Sequence, residues 1–183
     1  MRVTPTVYAI AAATPWLVAL DWYDWKCRRL PNPLTLGGAA AILAWQFGWG
    51  GMPLLLNSLL GGAVAGGLLL IPFLIRAAGA GDVKYLFAAG LLTGYPAVLP
   101  MLLLTSLFAL ALGIVMRLFG ALDGARVRHC FRCVFDWRYD RAEGRRNLPD
   151  RENEKVRIPF GVAISVGVWV TLLLRYIGEC RMP

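Results

Sequence analysis

Eleven carboxylates and a single histidine bound the chemistry open to this 183-residue chain. With one imidazole, His129, in a charged stretch, histidine-based triads and multi-histidine metal sites are all but excluded. Eight of the acidic residues fall between Asp123 and Glu179, mostly in a stretch dense with arginine. Solvated charge and ion pairing account for them there. Three remain: Asp21, Asp24 and Asp82, each standing at the end of an apolar run. Two carboxylates brought together from different elements can work as an aspartic dyad. One is protonated and one ionised, because like charges about 3 Å apart cannot both ionise cheaply. The ionised member takes a proton from water while the protonated one polarises a carbonyl. Such a pair needs no metal and no cofactor. Each carboxylate also has a plainer role open to it. Asp82, in Gly79-Ala80-Gly81-Asp82-Val83-Lys84, could cap a helix after a glycine-rich turn. Asp24 could complete a charged segment before the Pro31-Asn32-Pro33 turn, and Asp21 could simply end its run.

The elements that must position these carboxylates are apolar. Hydrophobic residues make up 58% of the chain, charged ones only 16%, and the mean hydropathy is +0.58. A soluble domain is roughly half apolar and about a quarter charged, so a free-standing soluble enzyme and a disordered chain are both excluded. Six runs approach the ~20 residues that cross a bilayer core: Val3–Leu20, Leu34–Trp49, Pro53–Ile75, Val83–Leu99, Pro100–Leu118 and Ile158–Ile177. Period-2 alternation is absent, which argues against a barrel. The expectation is an all-α polytopic membrane protein of about six transmembrane helices. Tyr95-Pro96 is expected to end the fourth. Gly62-x-x-x-Gly66 in the third has the small-residue spacing that lets helix backbones approach closely.

The net charge of +8 acquires meaning from its placement. Sixteen of the nineteen basic residues fall in three connections: Lys26, Arg28 and Arg29; Arg76 and Lys84; and eleven between Arg117 and Arg157. With six spans all three connections lie on one side. The positive-inside rule makes that side cytoplasmic and leaves both termini outside. Asp21, Asp24 and Asp82 share the cytoplasmic edge, where a membrane carboxylate is by default a functional-site hypothesis. Charge alone would allow a nucleic-acid partner, but runs this apolar have no place in one. The expected partner is the lipid bilayer.

Three separated motifs then resemble the type IV prepilin peptidase family. Gly79-Ala80-Gly81-Asp82 matches the GxGD signature of intramembrane aspartic proteases, within the wider block Gly79–Gly94. Pro31 of Leu30-Pro31-Asn32 stands seven residues after Asp24, the spacing that the family keeps from its first aspartate. That spacing selects Asp24 over Asp21. Ile158-Pro159-Phe160-Gly161-Val162-Ala163 opens the last run. The resemblance implies a GxGD fold and a catalytic pair of Asp24 and Asp82. It implies an active-site loop shaped by Gly79 and Gly81, with Lys84 either orienting substrate or anchoring the helix at the interface. It implies an endopeptidase of the bacterial inner membrane that removes the basic leader of prepilins or pseudopilins at the cytoplasmic face, without metal or cofactor. The short connection between the first two runs implies the peptidase-only form, lacking the N-terminal methyltransferase region.

One membrane-embedded peptidase domain is expected over 1–183, with a cytoplasmic basic loop at 123–157. That loop contains His129-Cys130-Phe131-Arg132-Cys133. A zinc site wants four ligands and a second pair is missing, so no metal is assigned. Its aromatic residues among arginines suit anionic headgroups better than RNA. Two other readings are kept. A pilus or secretion assembly subunit would bind pilins without cutting them. A small transporter would need polar residues near mid-span, where the chain offers little beyond Asn57, Ser58, Thr105, Ser106 and Ser165. Oligomeric state and the identity of the pilin are left open.

Overall fold

A computed structural model of the chain describes residues 5–27, 30–74, 78–119 and 160–181. The basic loop 123–157, with His129, Cys130 and Cys133, lies outside the described residues, as do Arg28, Arg29 and Arg76. The described residues form five helices: α1 (Pro5–Cys27), α2 (Asn32–Leu74), α3 (Ala80–Thr93), α4 (Val98–Leu118) and α5 (Phe160–Arg181). Three of them, α2, α4 and α5, are long and apolar enough to cross a membrane.

Three of the expected runs are drawn differently by the structure. The second and third are continuous in α2, 43 residues long, which as a straight rod would measure about 65 Å. It is not straight. Gly51 adopts φ 63°, ψ −155°, a region open essentially to glycine alone. The connection expected between Trp49 and Pro53 is therefore a one-residue break. Pro53 follows in the first turn of the second arm, where its missing N–H costs nothing. The fourth run, drawn to Leu99 with its helix expected to end at Tyr95-Pro96, stops at Thr93. Gly94 ends it, with φ 67°, before Pro96 is reached. At 14 residues, α3 spans about 21 Å, short of a ~30 Å hydrocarbon core.

That short helix is the most enclosed element. Tyr85, Leu86, Ala88, Ala89 and Leu91 are all buried in it. Tyr85, Leu86 and Ala89 pack with Leu17 and Leu20 of α1, Ala65 of α2, Met101 of α4 and Ile164 of α5, and Ala88 and Leu91 with Ala39 of α2. The small residues of the second α2 arm bring α3 in. A Cβ on Gly61 would lie 2.5 Å from the Gly90 carbonyl oxygen, and one on Gly90 would lie 2.5 Å from that of Gly61. Gly62 and Gly66 meet Leu91 and Phe87. The close packing expected of the glycine stripe is thus realised against α3. Gly90→Ala would place its methyl 2.6 Å from Ala65 Cβ, an overpacking worth roughly 1–3 kcal/mol. Its thermal unfolding midpoint in detergent is expected to fall, while Gly67→Ala, which meets nothing within 4 Å, leaves it unchanged.

The outer surface is inverted relative to a soluble protein. Leu56, Leu60, Ile71, Leu103, Leu107 and Leu110 are all exposed, an excess of large apolar side chains at the surface that fits lipid rather than water. Exposed aromatic residues gather at two levels. Trp22, Tyr23 and Trp25 stand at the C-terminal end of α1, and Tyr8, Trp45 and Trp49 at the opposite end. Aromatic side chains collect in this way at the two membrane–water interfaces.

Candidate active site

Four helix ends meet at the level of Trp22 and Trp25. Helix α1 arrives there, and α2, α3 and α5 depart. Each expected site residue stands on one of these ends.

Asp24 lies in the last turn of α1 and is buried, 5% exposed. The backbone N–H of Gly161, in the first turn of α5, donates to its Oδ2 at 2.8 Å. A helix N-terminus favours an anion at this position. Only glycine fits there: a Cβ on residue 161 would lie 2.6 Å from Asp24 Oδ2 and 3.0 Å from its Cγ. The Ile158–Ala163 motif thus acquires a physical reason in its glycine.

Asp82 stands half-buried in the first turn of α3. Its Oδ2 accepts the N–H of Gly79 at 3.2 Å, the carboxylate half of a capping box. Asp82 therefore does cap the helix, though from the third helical position, with Gly79 and not Asp82 as the N-cap residue, and this holds the carboxylate at the helix end. Both signature glycines are explained by space. A Cβ on Gly79 would lie 3.0 Å from Asp82 Oδ2, and one on Gly81 would lie 3.2 Å from Leu30 Cβ. Leu30 packs into the groove that Gly81 leaves, which brings the Leu30-Pro31-Asn32 segment against the start of α3. Lys84 completes the join: its Nζ donates to Asn32 Oδ1 at 2.8 Å. The two motifs that flank the aspartates in sequence are therefore in direct contact.

Below this layer lies a polar chain, buried at Tyr85 and Ser165 and half-buried at Asp21, that no local signature in the sequence announces. Ser165 Oγ donates to Asp21 Oδ1 at 2.5 Å. Tyr85 Oη stands 2.5 Å from the same Ser165 Oγ. A serine has one proton to give, so with Asp21 receiving it Tyr85 is the donor to Ser165. Asp21 sits three residues before Asp24 on α1, and Tyr85 three residues after Asp82 on α3. Trp16 braces the same layer, its ring edge-on to Tyr85 with centroids 5.6 Å apart and its Nε1–H donated to Leu34 O at 2.9 Å.

Among the described residues no group of three or more His, Cys, Asp or Glu is placed to hold a metal ion. What the site offers is two carboxylates at helix termini, backbone donors and an adjacent cation.

A family model described as the type IV leader peptidase family matches residues 11–114, more than half of the chain. The matched stretch contains Asp24, Leu30-Pro31-Asn32 and the Gly79–Gly94 block; α5 follows it. No curated protein matches the chain, and no solved structure does.

Proposed function

The chain belongs to the type IV leader peptidase family, and from that premise we propose that it is a membrane aspartic endopeptidase cutting the basic leader from type IV prepilins or pseudopilins. The family match over the residues that hold both aspartates carries this reading. The contacts Leu30–Gly81 and Lys84–Asn32 support it, since they join the two aspartate-bearing motifs at one end of the bundle.

The proposed chemistry is hydrolysis by Asp24 and Asp82. The ionised carboxylate takes a proton from water as the water oxygen attacks the scissile carbonyl carbon. The protonated carboxyl donates to the carbonyl oxygen, where negative charge develops. Collapse of the tetrahedral intermediate breaks the C–N bond, and the leaving amine takes a proton from the carboxyl that accepted it. Water must reach this pair, and the cytoplasmic edge of a membrane supplies it. Both arms of α2, together with α1, α4 and α5, are proposed to cross the bilayer, and α3, shorter than the hydrocarbon core but enclosed among them so that its ends are covered by protein, to complete the six spans. The termini then lie outside and the site faces the cytoplasm. The basic connections and the aromatic residues at the α1 end fit that orientation. The substrate keeps its apolar helix in the bilayer and presents its leader at the interface.

Coexpression with a prepilin tests the reading. The wild-type protein is expected to shorten the pilin by its leader, seen as a mass difference at its N-terminus. Asp82→Ala is expected to leave the full-length pilin. Complete processing by Asp82→Ala would sink the proposal.

A further inference from the structure

We propose that Asp21, Ser165 and Tyr85 form a positioning network that sets the rotation of α1 and so the place of the Asp24 carboxylate. The proposal rests on the peptidase reading of Asp24 above.

The argument begins with register. Asp21 and Asp24 are three residues apart and so share one face of α1. Gly161 and Ser165 are four apart and share one face of α5. The two helices run antiparallel, pinned at their far ends by the Thr6 hydroxyl on Glu179 Oε1 at 2.6 Å. At the site end α5 gives two donors, one turn apart, to two carboxylates, one turn apart: Gly161 N–H to Asp24 and Ser165 O–H to Asp21. A single bond would leave α1 free to rock about it. Two bonds, one turn apart, fix both its rotation and its height.

Tyr85 extends the lock to the other carboxylate. Its hydroxyl reaches Ser165 from α3, one helical turn below Asp82. Through Ser165 the helix of Asp24 is therefore tied to the helix of Asp82, with α5 as the bridge. Tyr85 is fully buried and Ser165 is 2% exposed, so water does not compete for the bond between them and it holds its geometry, while Asp21, half-buried, receives Ser165 from the edge of the same layer. Packing alone does not account for the chain. Apolar residues of matched volume would join three helices without the cost of drawing a carboxylate out of water. What the polar chain adds is direction: hydrogen bonds fix angles that apolar contacts leave loose. In this arrangement Asp21 acts as an acceptor, not as a proton-transfer group.

Steady-state cleavage of a prepilin peptide in detergent tests this, with Asp24→Asn as the reference for the reading beneath it. Asp21→Ala and Ser165→Ala are expected to lower kcat roughly 10- to 100-fold, the scale of a sub-ångström to 1 Å misplacement, with KM within about twofold of wild type. Asp21→Asn keeps an acceptor oxygen for Ser165 and is expected to restore kcat to within about threefold. Tyr85→Phe removes one oxygen while keeping the ring against Trp16. It is expected to lower kcat roughly three- to tenfold at unchanged KM, and it tests the same network if an alanine variant does not fold. With the wild type active and Asp24→Asn inactive, wild-type kcat in Ser165→Ala or Tyr85→Phe overturns the proposal and leaves the peptidase reading standing. So does an Asp21→Asn protein as impaired as Asp21→Ala, or a rise in KM matching the loss in kcat. A wild-type protein that cuts nothing, or an Asp24→Asn protein that cuts as well as wild type, overturns the peptidase reading and this proposal with it.

Discussion

Asp24→Asn is expected to abolish leader cleavage while leaving the protein folded. The substitution is close to isosteric, and its amide oxygen can still accept the Gly161 N–H that now meets Asp24 Oδ2. It removes what the chemistry requires, a group that can both hold and release a proton. General acid–base groups contribute typically 10²–10⁴-fold. In a dyad the surviving aspartate also loses the neighbour that sets its protonation, so the loss is expected at the upper end, about 10⁴-fold. That corresponds to roughly 5.5 kcal/mol of transition-state stabilisation, at ~1.36 kcal/mol per factor of ten. Two measurements on one preparation check it: mass analysis of the pilin N-terminus, and the unfolding midpoint in detergent. Retained cleavage excludes Asp24 as a catalytic group. Lost cleavage with a collapsed midpoint would mark it as a structural residue instead.

The parts of this molecule that the sequence discloses are those written locally. Gly79-x-Gly81-Asp82 and the spacing from Asp24 to Pro31 are short patterns, and the two glycines of the first prove to have a steric cause. The glycine stripe of the third run discloses its packing because small residues at that spacing have few other uses in an apolar helix. What local patterns do not carry depends on residues distant in the chain. Tyr85 and Ser165 lie 80 residues apart, and Ser165 and Asp21 144 apart. Each reads alone as one polar residue in or beside an apolar run. The end of the fourth run is hidden for a different reason. Proline is the louder breaker in Gly94-Tyr95-Pro96, yet the helix stops at Gly94, which has a positive φ and where a Cβ would lie 3.0 Å from Asn57 Nδ2 of α2. The break at Gly51 is hidden as well: a three-residue connection between Trp49 and Pro53 and a one-residue turn at Gly51 have the same composition.

Gly161→Ala is expected to cut activity about 100-fold without unfolding the protein. The added methyl would lie 2.6 Å from Asp24 Oδ2, 3.0 Å from Cγ and 3.2 Å from Cβ. Ordinary contact begins near 3.4 Å, so the carboxylate or the helix must retreat by close to an ångström. Asp24 is 5% exposed, and the retreat has little free space to use. The Gly161 N–H bond lengthens with it, and the favourable position at the start of α5 is lost. A displacement on that scale costs about 10²-fold when the group must meet a reacting atom. The effect differs from that of Asp24→Asn in kind: the carboxyl is still present, so a residual rate survives and retains the wild-type cleavage position. Gly178→Ala on the same helix is the control, since a methyl there meets nothing within 4 Å and its rate is expected to equal wild type. If Gly161→Ala cleaves at the wild-type rate, the place of Asp24 is not set by α5. If both glycine variants lose activity together, the cause is helix α5 as a whole and not its contact with the carboxylate.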